Sequence, residues 1–66
     1  MRVNLNVFDV HGRLVRALVK DQAARGARDV VWDGRDDDGR AVASGVYFYR
    51  LELGGNTVTR RMTLLK

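Results

Sequence analysis

The stretch from residue 30 to residue 49, VVWDGRDDDGRAVASGVYFY, constrains the fold more than any other part of the chain. Val30 and Trp32 are two positions apart, so in a strand both side chains point to one face. Tyr47 and Tyr49 repeat this spacing after the loop. The aspartates and glycines in between favour turns, because Asp hydrogen-bonds to nearby backbone and Gly adopts positive φ without steric cost. The stretch therefore predicts two strands joined by a long, turn-rich loop.

The same alternation of apolar and polar residues recurs in the rest of the chain. Val3, Leu5 and Val7 alternate with two asparagines, which is typical of a half-buried strand. Residues 13–19 fit either a strand or a short helix, and the tight turn before them favours a strand paired with the first. A polar connecting loop is expected at residues 20–26. In all, five strands are predicted, at residues 2–8, 13–19, 27–33, 46–53 and 57–65.

Glycines mark the predicted turns, and large apolar side chains in phase along the strands mark the predicted core. Five short strands at this spacing predict an all-β fold, a small antiparallel β-sandwich. Arg60 has the same phase as the apolar residues of the last strand, so we expect it at a sheet edge or a bulge. The turn candidates are Gly12, Gly34, Gly39, Gly45, Gly54 and Gly55. The core candidates are Val3, Leu5, Val7, Val30, Trp32, Tyr47, Tyr49, Leu51, Met62 and Leu64.

The composition limits the number of domains and the kinds of site. The 66 residues allow one domain, and the absence of cysteine together with a single histidine leaves no disulfide or zinc site to stabilise it. A core of this size is marginal, so either packing is very good or a partner chain completes it. The net charge is +4, but the arginines are scattered, which favours a solvated surface over nucleic acid. No apolar run approaches the ~20 residues that cross a bilayer.

The acidic loop and the aromatic residues are the candidate chemical sites. Asp33, Asp36 and Asp38 could hold a hard cation, but two ligands of the helix-loop-helix calcium pattern are missing, so a turn-forming role is favoured. Trp32 and the two tyrosines could stack on sugars or bases, although their phase favours the core. No serine or cysteine is placed with a histidine and a carboxylate as a nucleophile would need. We expect no enzyme activity and no cofactor.

Three motifs carry a resemblance to a known family. They are F-D-V-H-G-R-L-V-R, then V-V-W-D-G-R-D-x-x-G-R-x-V-A-S-G-V-Y-F-Y-R-L, and finally G-G-x-T-x-T-R-R-M-x-L-L-K. Together they resemble the immunoglobulin-like domain of flagellar hook-capping proteins. They are also similar to C-terminal sorting domains of the type IX secretion pathway. The resemblance implies an immunoglobulin-like sandwich over residues 1–66. Such domains begin with one more strand, which is absent here, so a strand-swapped or edge-paired homodimer is expected to fill the gap.

The resemblance also sets the expected functions. The first is a non-catalytic sorting, anchoring or interaction module at the C-terminus of a larger exported bacterial protein, located outside the cell or on its surface. In the type IX group the secretion machinery recognises the end of the chain. The resemblance therefore makes Arg60, Arg61 and Lys66 the sorting candidates. The second is a scaffolding domain of hook-cap type in the assembly of an extracellular filament. The third is binding of a polyanion or a carbohydrate. The partner expected is a protein or a second copy.

Overall fold

The computed structural model describes residues 2–23 and 30–66, and every regular element within them is a β-strand. The all-β, antiparallel prediction is confirmed, with four strands in one sheet. Their bounds are β1 Arg2–Phe8, β2 Leu14–Ala23, β3 Gly45–Leu53 and β4 Asn56–Leu64. The helix alternative for residues 13–19 is thus wrong, since the segment from Leu14 onward is β2.

The order of strands in the sheet is β2-β1-β3-β4, and all neighbours are antiparallel. β1 and β3 are central, and their register runs without interruption from Val3↔Leu53 to Phe8↔Phe48. β2 and β4 are therefore the two edges. Because side chains alternate between the faces of a strand, the odd-numbered apolar residues of β1 and β3 share one face of the sheet.

β2 is longer than the sequence predicted, and it contains a β-bulge. Residues 20–23 continue the strand instead of forming a loop, while 24–26 lie outside the described residues. Between Leu5↔Val19 and Val3↔Gln22 the register shifts, and Asp21 has a positive φ of 44° there. The Asp21 N–H donates to the Asn4 side chain over 2.8 Å. That bond stabilises a backbone conformation that few non-glycine residues adopt.

The third predicted strand, residues 27–33, is wrong for residues 30–33, the part of it that the structure describes. Residues 30–33 have no strand partner, and 27–29 lie outside the described residues. A strand requires a neighbour for its N–H and C=O groups, and the four-stranded sheet offers this segment none. The chain instead crosses one face of the sheet as an irregular segment. Its regular pairing is a single antiparallel bridge between Arg35 and Ala41.

The core candidates lie mostly on one face of the sheet but differ in how far they are buried. Val7 and Tyr47 are buried, as is Val19, which the sequence did not single out. Seven others are half-buried, namely Val3, Leu5, Trp32, Tyr49, Leu51, Met62 and Leu64. Val30 is 37% exposed. The apolar face is thus only partly covered by the described residues.

The turn candidates fall at the ends of strands and in the loop over the sheet. Gly12 and Gly39 have φ of +80° and +81°, a region in which a Cβ atom is strained, so glycine is required there. Gly34, Gly45 and Gly54 also have positive φ, and Gly55 completes the β3–β4 turn. Gly45 is the first residue of β3 rather than a turn residue.

Candidate protein-interaction surface

The acidic loop uses its carboxylates to hold its own backbone. Asp36 Oδ1 accepts hydrogen bonds from the N–H groups of Asp38 and Arg40, at 3.0 and 2.9 Å. Asp33 Oδ1 accepts the N–H of Arg35 at 3.0 Å. These are the short-range bonds by which aspartate stabilises turns. In residues 2–23 and 30–66, no three acidic, histidine or cysteine side chains come together as a metal site would require.

Asp37 covers part of the outer edge of β2, at Val15 and Ala17. Its N–H donates to the carbonyl of Val15 at 3.0 Å, and its Oδ1 accepts the N–H of Ala17 at the same distance. These two groups of β2 would otherwise face water at the edge of the sheet, where they could pair with another chain. We call this contact the Asp37 clasp. It leaves β4 as the longer unprotected edge.

Arg16 fixes the acidic loop to the sheet. Its guanidinium donates to the carbonyls of Arg35 and Asp36 at 3.4 and 3.2 Å. It also lies 3.6 Å from Asp33 Oδ1 and 3.9 Å from Asp37 Oδ1. Sequence reasoning missed this residue, because Arg16 is one of ten arginines and nothing local distinguishes it. The sequence carries no signal for this contact, because Arg16 and the loop residues that it holds are 19 and 20 positions apart.

A second aspartate caps the turn between β1 and β2. Asp9 Oδ1 accepts the N–H groups of His11 and Arg13, at 2.9 and 3.0 Å. The hydrogen bond from Arg13 is the main cause that lowers the pKa of the Asp9 carboxyl below its usual value, and partial burial acts in the opposite direction. His11 is exposed in this turn. The role of these residues is therefore to shape the turn.

Trp32 and Tyr47 are packed against each other rather than presented to solvent as a flat platform. Their rings meet edge to face, with centroids 5.2 Å apart and planes at 71°. Trp32 Nε1 donates to the Arg35 carbonyl at 2.9 Å, and the Tyr47 hydroxyl donates to the Ala43 carbonyl at 2.7 Å. The apolar part of each ring thus packs against the other ring, and the polar group of each ring donates a hydrogen bond. This pair ties the loop to β3.

Beside Trp32 lies an open cavity of about 550 Å³, which we call the apolar hollow. Its floor is the apolar face of the sheet, where Val3 and Leu5 of β1 lie beside Leu51 and Leu53 of β3. The β2 side contributes Leu18, Val19, Gln22 and Ala23, and the opposite wall is formed by Val30 and Trp32. Tyr49, Val7 and Met62 also line the hollow, and no charged side chain from the described residues takes part.

The edge strand β4 and the chain end form a second exposed surface. Arg60 and Arg61 are exposed, and neither forms an ion pair within the described part of the chain. The position of Arg60 at a sheet edge is as predicted. Lys66 differs from them, since its ammonium donates to the Val42 carbonyl and its N–H to Ser44 Oγ at 3.1 Å. The three sorting candidates are therefore not one cluster.

The other face of the sheet is more polar. The guanidinium carbon of Arg50 lies 4.7 Å from the centroid of the Phe8 ring, a cation–π contact. Arg50 also pairs with Glu52 at 3.5 Å. Among the described residues there is no helix long and apolar enough to cross a membrane. The candidate contact surfaces are thus the apolar hollow and the β4 edge.

A comparison with family models supports the hook-capping part of the resemblance, and it does not show the similarity to type IX sorting domains. The model described as FlgD Ig-like domain matches residues 1–60. No curated protein and no solved structure gives a significant match. The match covers all four strands except the last residues of β4.

Proposed function

The chain belongs to the FlgD Ig-like domain family, and we propose that it is a scaffolding module in the assembly of an extracellular bacterial filament. The family is a structural one related to the flagellar hook cap, and not a known enzyme family. Flagellar components of this kind are exported to the cell exterior. The hook-cap alternative of the sequence analysis is therefore better supported than the sorting function.

The observation that carries this proposal is the free edge of β4. The strand is nine residues long, its residues from 56 to 61 are exposed, and no other strand of the described sheet lies beside its outer N–H and C=O groups. An edge of this kind adds a strand from another protein through main-chain hydrogen bonds. The unpaired charges of Arg60 and Arg61 favour a partner segment that carries carboxylates. The same edge could join two copies as an edge-paired homodimer.

Binding to a purified, polymerised hook-type filament subunit tests the scaffolding function. The chain is mixed with the filament and sedimented, and the bound fraction is measured. We expect the fraction to fall about tenfold for Arg60→Glu, since about 1.4 kcal/mol of contact free energy gives that factor. Arg40→Glu changes the net charge equally in an exposed loop position and should bind like the parent chain. Equal loss in both variants, or no binding by the parent chain, would contradict the proposal.

Sorting by the chain end is the second candidate function, and the exposure of Arg60 and Arg61 is the observation that favours it. It predicts that the domain exports a fused passenger protein and that removal of residues 60–66 abolishes export. Lys66 weakens this candidate, because its ammonium is bound to the Val42 carbonyl instead of being presented to a receptor. Export of a passenger that carries the domain, in a strain with the type IX pathway, separates the two functions.

A further inference from the structure

We propose that the apolar hollow binds one extended strand of another polypeptide, a segment with apolar side chains at alternate positions. This inference rests on the proposed function, in that it assumes a module which works through protein contacts, and it assigns a partner to a surface separate from the β4 edge. The floor of the hollow consists of half-buried aliphatic side chains on two neighbouring strands. Alternate residues of an incoming strand would complete their burial.

The backbone of residues 30–33, next to the hollow, has hydrogen-bonding groups that such a strand could pair with. Residues 30–33 are in no ladder, and within the described part of the chain their backbone N–H and C=O groups have no hydrogen-bond partner. Val30 and Trp32 point into the hollow, while Val31 is 85% exposed. This alternation is that of a strand whose neighbour is absent. A segment that lies along residues 30–33 would gain main-chain bonds and would fill the hollow with its side chains.

The exposed area of the chain is larger than its mass alone predicts. A folded monomer of 7.4 kDa exposes roughly 4,200 Å² by the scaling of surface with mass. The chain exposes 4992 Å². The difference is about 800 Å², which is comparable to the share that one partner buries in an interface of standard size. This excess is consistent with one contact surface, and the apolar hollow is a concave apolar part of the described surface.

The hollow also determines the chemistry of the segment. Among residues 2–23 and 30–66, no charged side chain lines the hollow, so we expect the residues that enter it to be apolar and binding to depend little on salt. The Asp37 clasp covers the edge of β2 at Val15 and Ala17. The apolar lining distinguishes the hollow from the β4 edge, where charge selects the partner.

Titration with a synthetic peptide tests the inference. The probe is a nine-residue peptide of alternating valine and threonine, with a lysine at each end for solubility. Trp32, the one tryptophan of the chain, lines the hollow, so its emission should shift to shorter wavelength when the peptide binds. Calorimetry should give a negative heat-capacity change, the mark of apolar burial. A peptide of equal composition with valines and threonines in adjacent pairs should bind at least about tenfold more weakly.

Two matched variants locate the binding site. Val30 lines the hollow, is 37% exposed and lies outside the sheet, so Val30→Phe should fill the hollow without disturbing the sheet and weaken peptide binding at least about tenfold. Thr63→Phe adds the same side chain on β4, paired with Val46 on the opposite face, and should leave binding unchanged. Circular dichroism of both variants confirms that they fold.

Four results would overturn the inference. They are no emission change with either peptide at about 1 mM, equal binding of both peptides, equal binding by the two phenylalanine variants, and a self-associated chain whose Trp32 emission is already shifted and unaffected by peptide. The last would show that a second copy covers the hollow. None of these touches filament binding through Arg60, so a failure here is distinguishable from a failure of the scaffolding function.

Discussion

The Asp37 clasp gives the most direct test of how this small sheet is stabilised. In Asp37→Ala the N–H of Ala17 loses its acceptor, although the bond from the Asp37 N–H to the Val15 carbonyl remains possible. A hydrogen bond to a charged acceptor contributes about 1.5–3 kcal/mol when buried. The Asp37 side chain is 46% exposed, so water replaces part of the lost bond. We expect a loss of about 1 kcal/mol in the free energy of unfolding.

Thermal unfolding followed by circular dichroism measures this loss. For a domain of this size, about 1 kcal/mol lowers Tm by about 4–8 °C. Asp37→Asn keeps the Oδ1 acceptor and should recover most of the loss, since the ion pair with Arg16 at 3.9 Å is half-exposed and contributes little. Asp38→Ala is the control. It removes an equal charge one residue away, and within residues 2–23 and 30–66 its carboxylate accepts no hydrogen bond and forms no ion pair.

The clasp should also affect self-association. Once Asp37 is replaced by alanine, the edge of β2 offers an unpaired N–H at Ala17, and such edges promote pairing between chains. Light scattering should therefore show more association for Asp37→Ala than for Asp38→Ala at equal concentration. If the two variants have the same Tm and the same scattering, the bond from Ala17 has no energetic role and the argument about edge protection is wrong.

Three further predictions concern the turns and the loop. Gly39→Ala should lower the free energy of unfolding by about 1–2 kcal/mol because φ is +81° and a Cβ atom is strained there, whereas Gly55→Ala, with no positive φ and open space around it, should cause no measurable loss in urea unfolding. Tyr47→Phe removes one hydroxyl bond to a loop carbonyl and should cost about 1 kcal/mol, measured in the same way. Asp9 has a lowered pKa in the folded state, chiefly through the Arg13 N–H, so its stabilising contribution is complete above the usual value of 3.8 and is lost as pH falls through the folded-state pKa. Asp9→Asn should make stability less dependent on pH below about 4.

Much of the sheet could be predicted from alternation alone. Val3, Leu5 and Val7 fixed the inner face of β1, and the glycines at 54 and 55 fixed the β3–β4 hairpin. β2 was predicted too short because its last four residues, 20–23, are three polar residues followed by a small one, Ala23. They lie at an exposed edge where burial imposes no pattern, and the bulge at Asp21 breaks the period of two that a strand otherwise shows.

The third strand and the loop contacts could not be predicted, for a different reason. Val30 and Trp32 have the spacing of a strand, but spacing determines only which way side chains point, and a strand also needs a neighbour to pair with. Likewise, the aspartates of the loop predicted turns correctly, as Asp36 shows. Which of them would reach β2 depends on where the loop crosses the sheet. That is set by Arg16 and by the Trp32–Tyr47 contact, neither of which is local in sequence.

The strand order has a consequence for the time at which this sheet can form. β1 and β2 are joined by a short turn and can pair as soon as both exist, but the other neighbour of β1 is β3, and Val3 pairs with Leu53 near the far end of the chain. Closing so long a loop is slow compared with forming a hairpin. While the chain is being synthesised, β1 and β2 therefore form at most a hairpin that lacks the second neighbour of β1. The central ladder closes only after residue 53 has emerged, and the molecule acquires its tertiary structure late and nearly all at once.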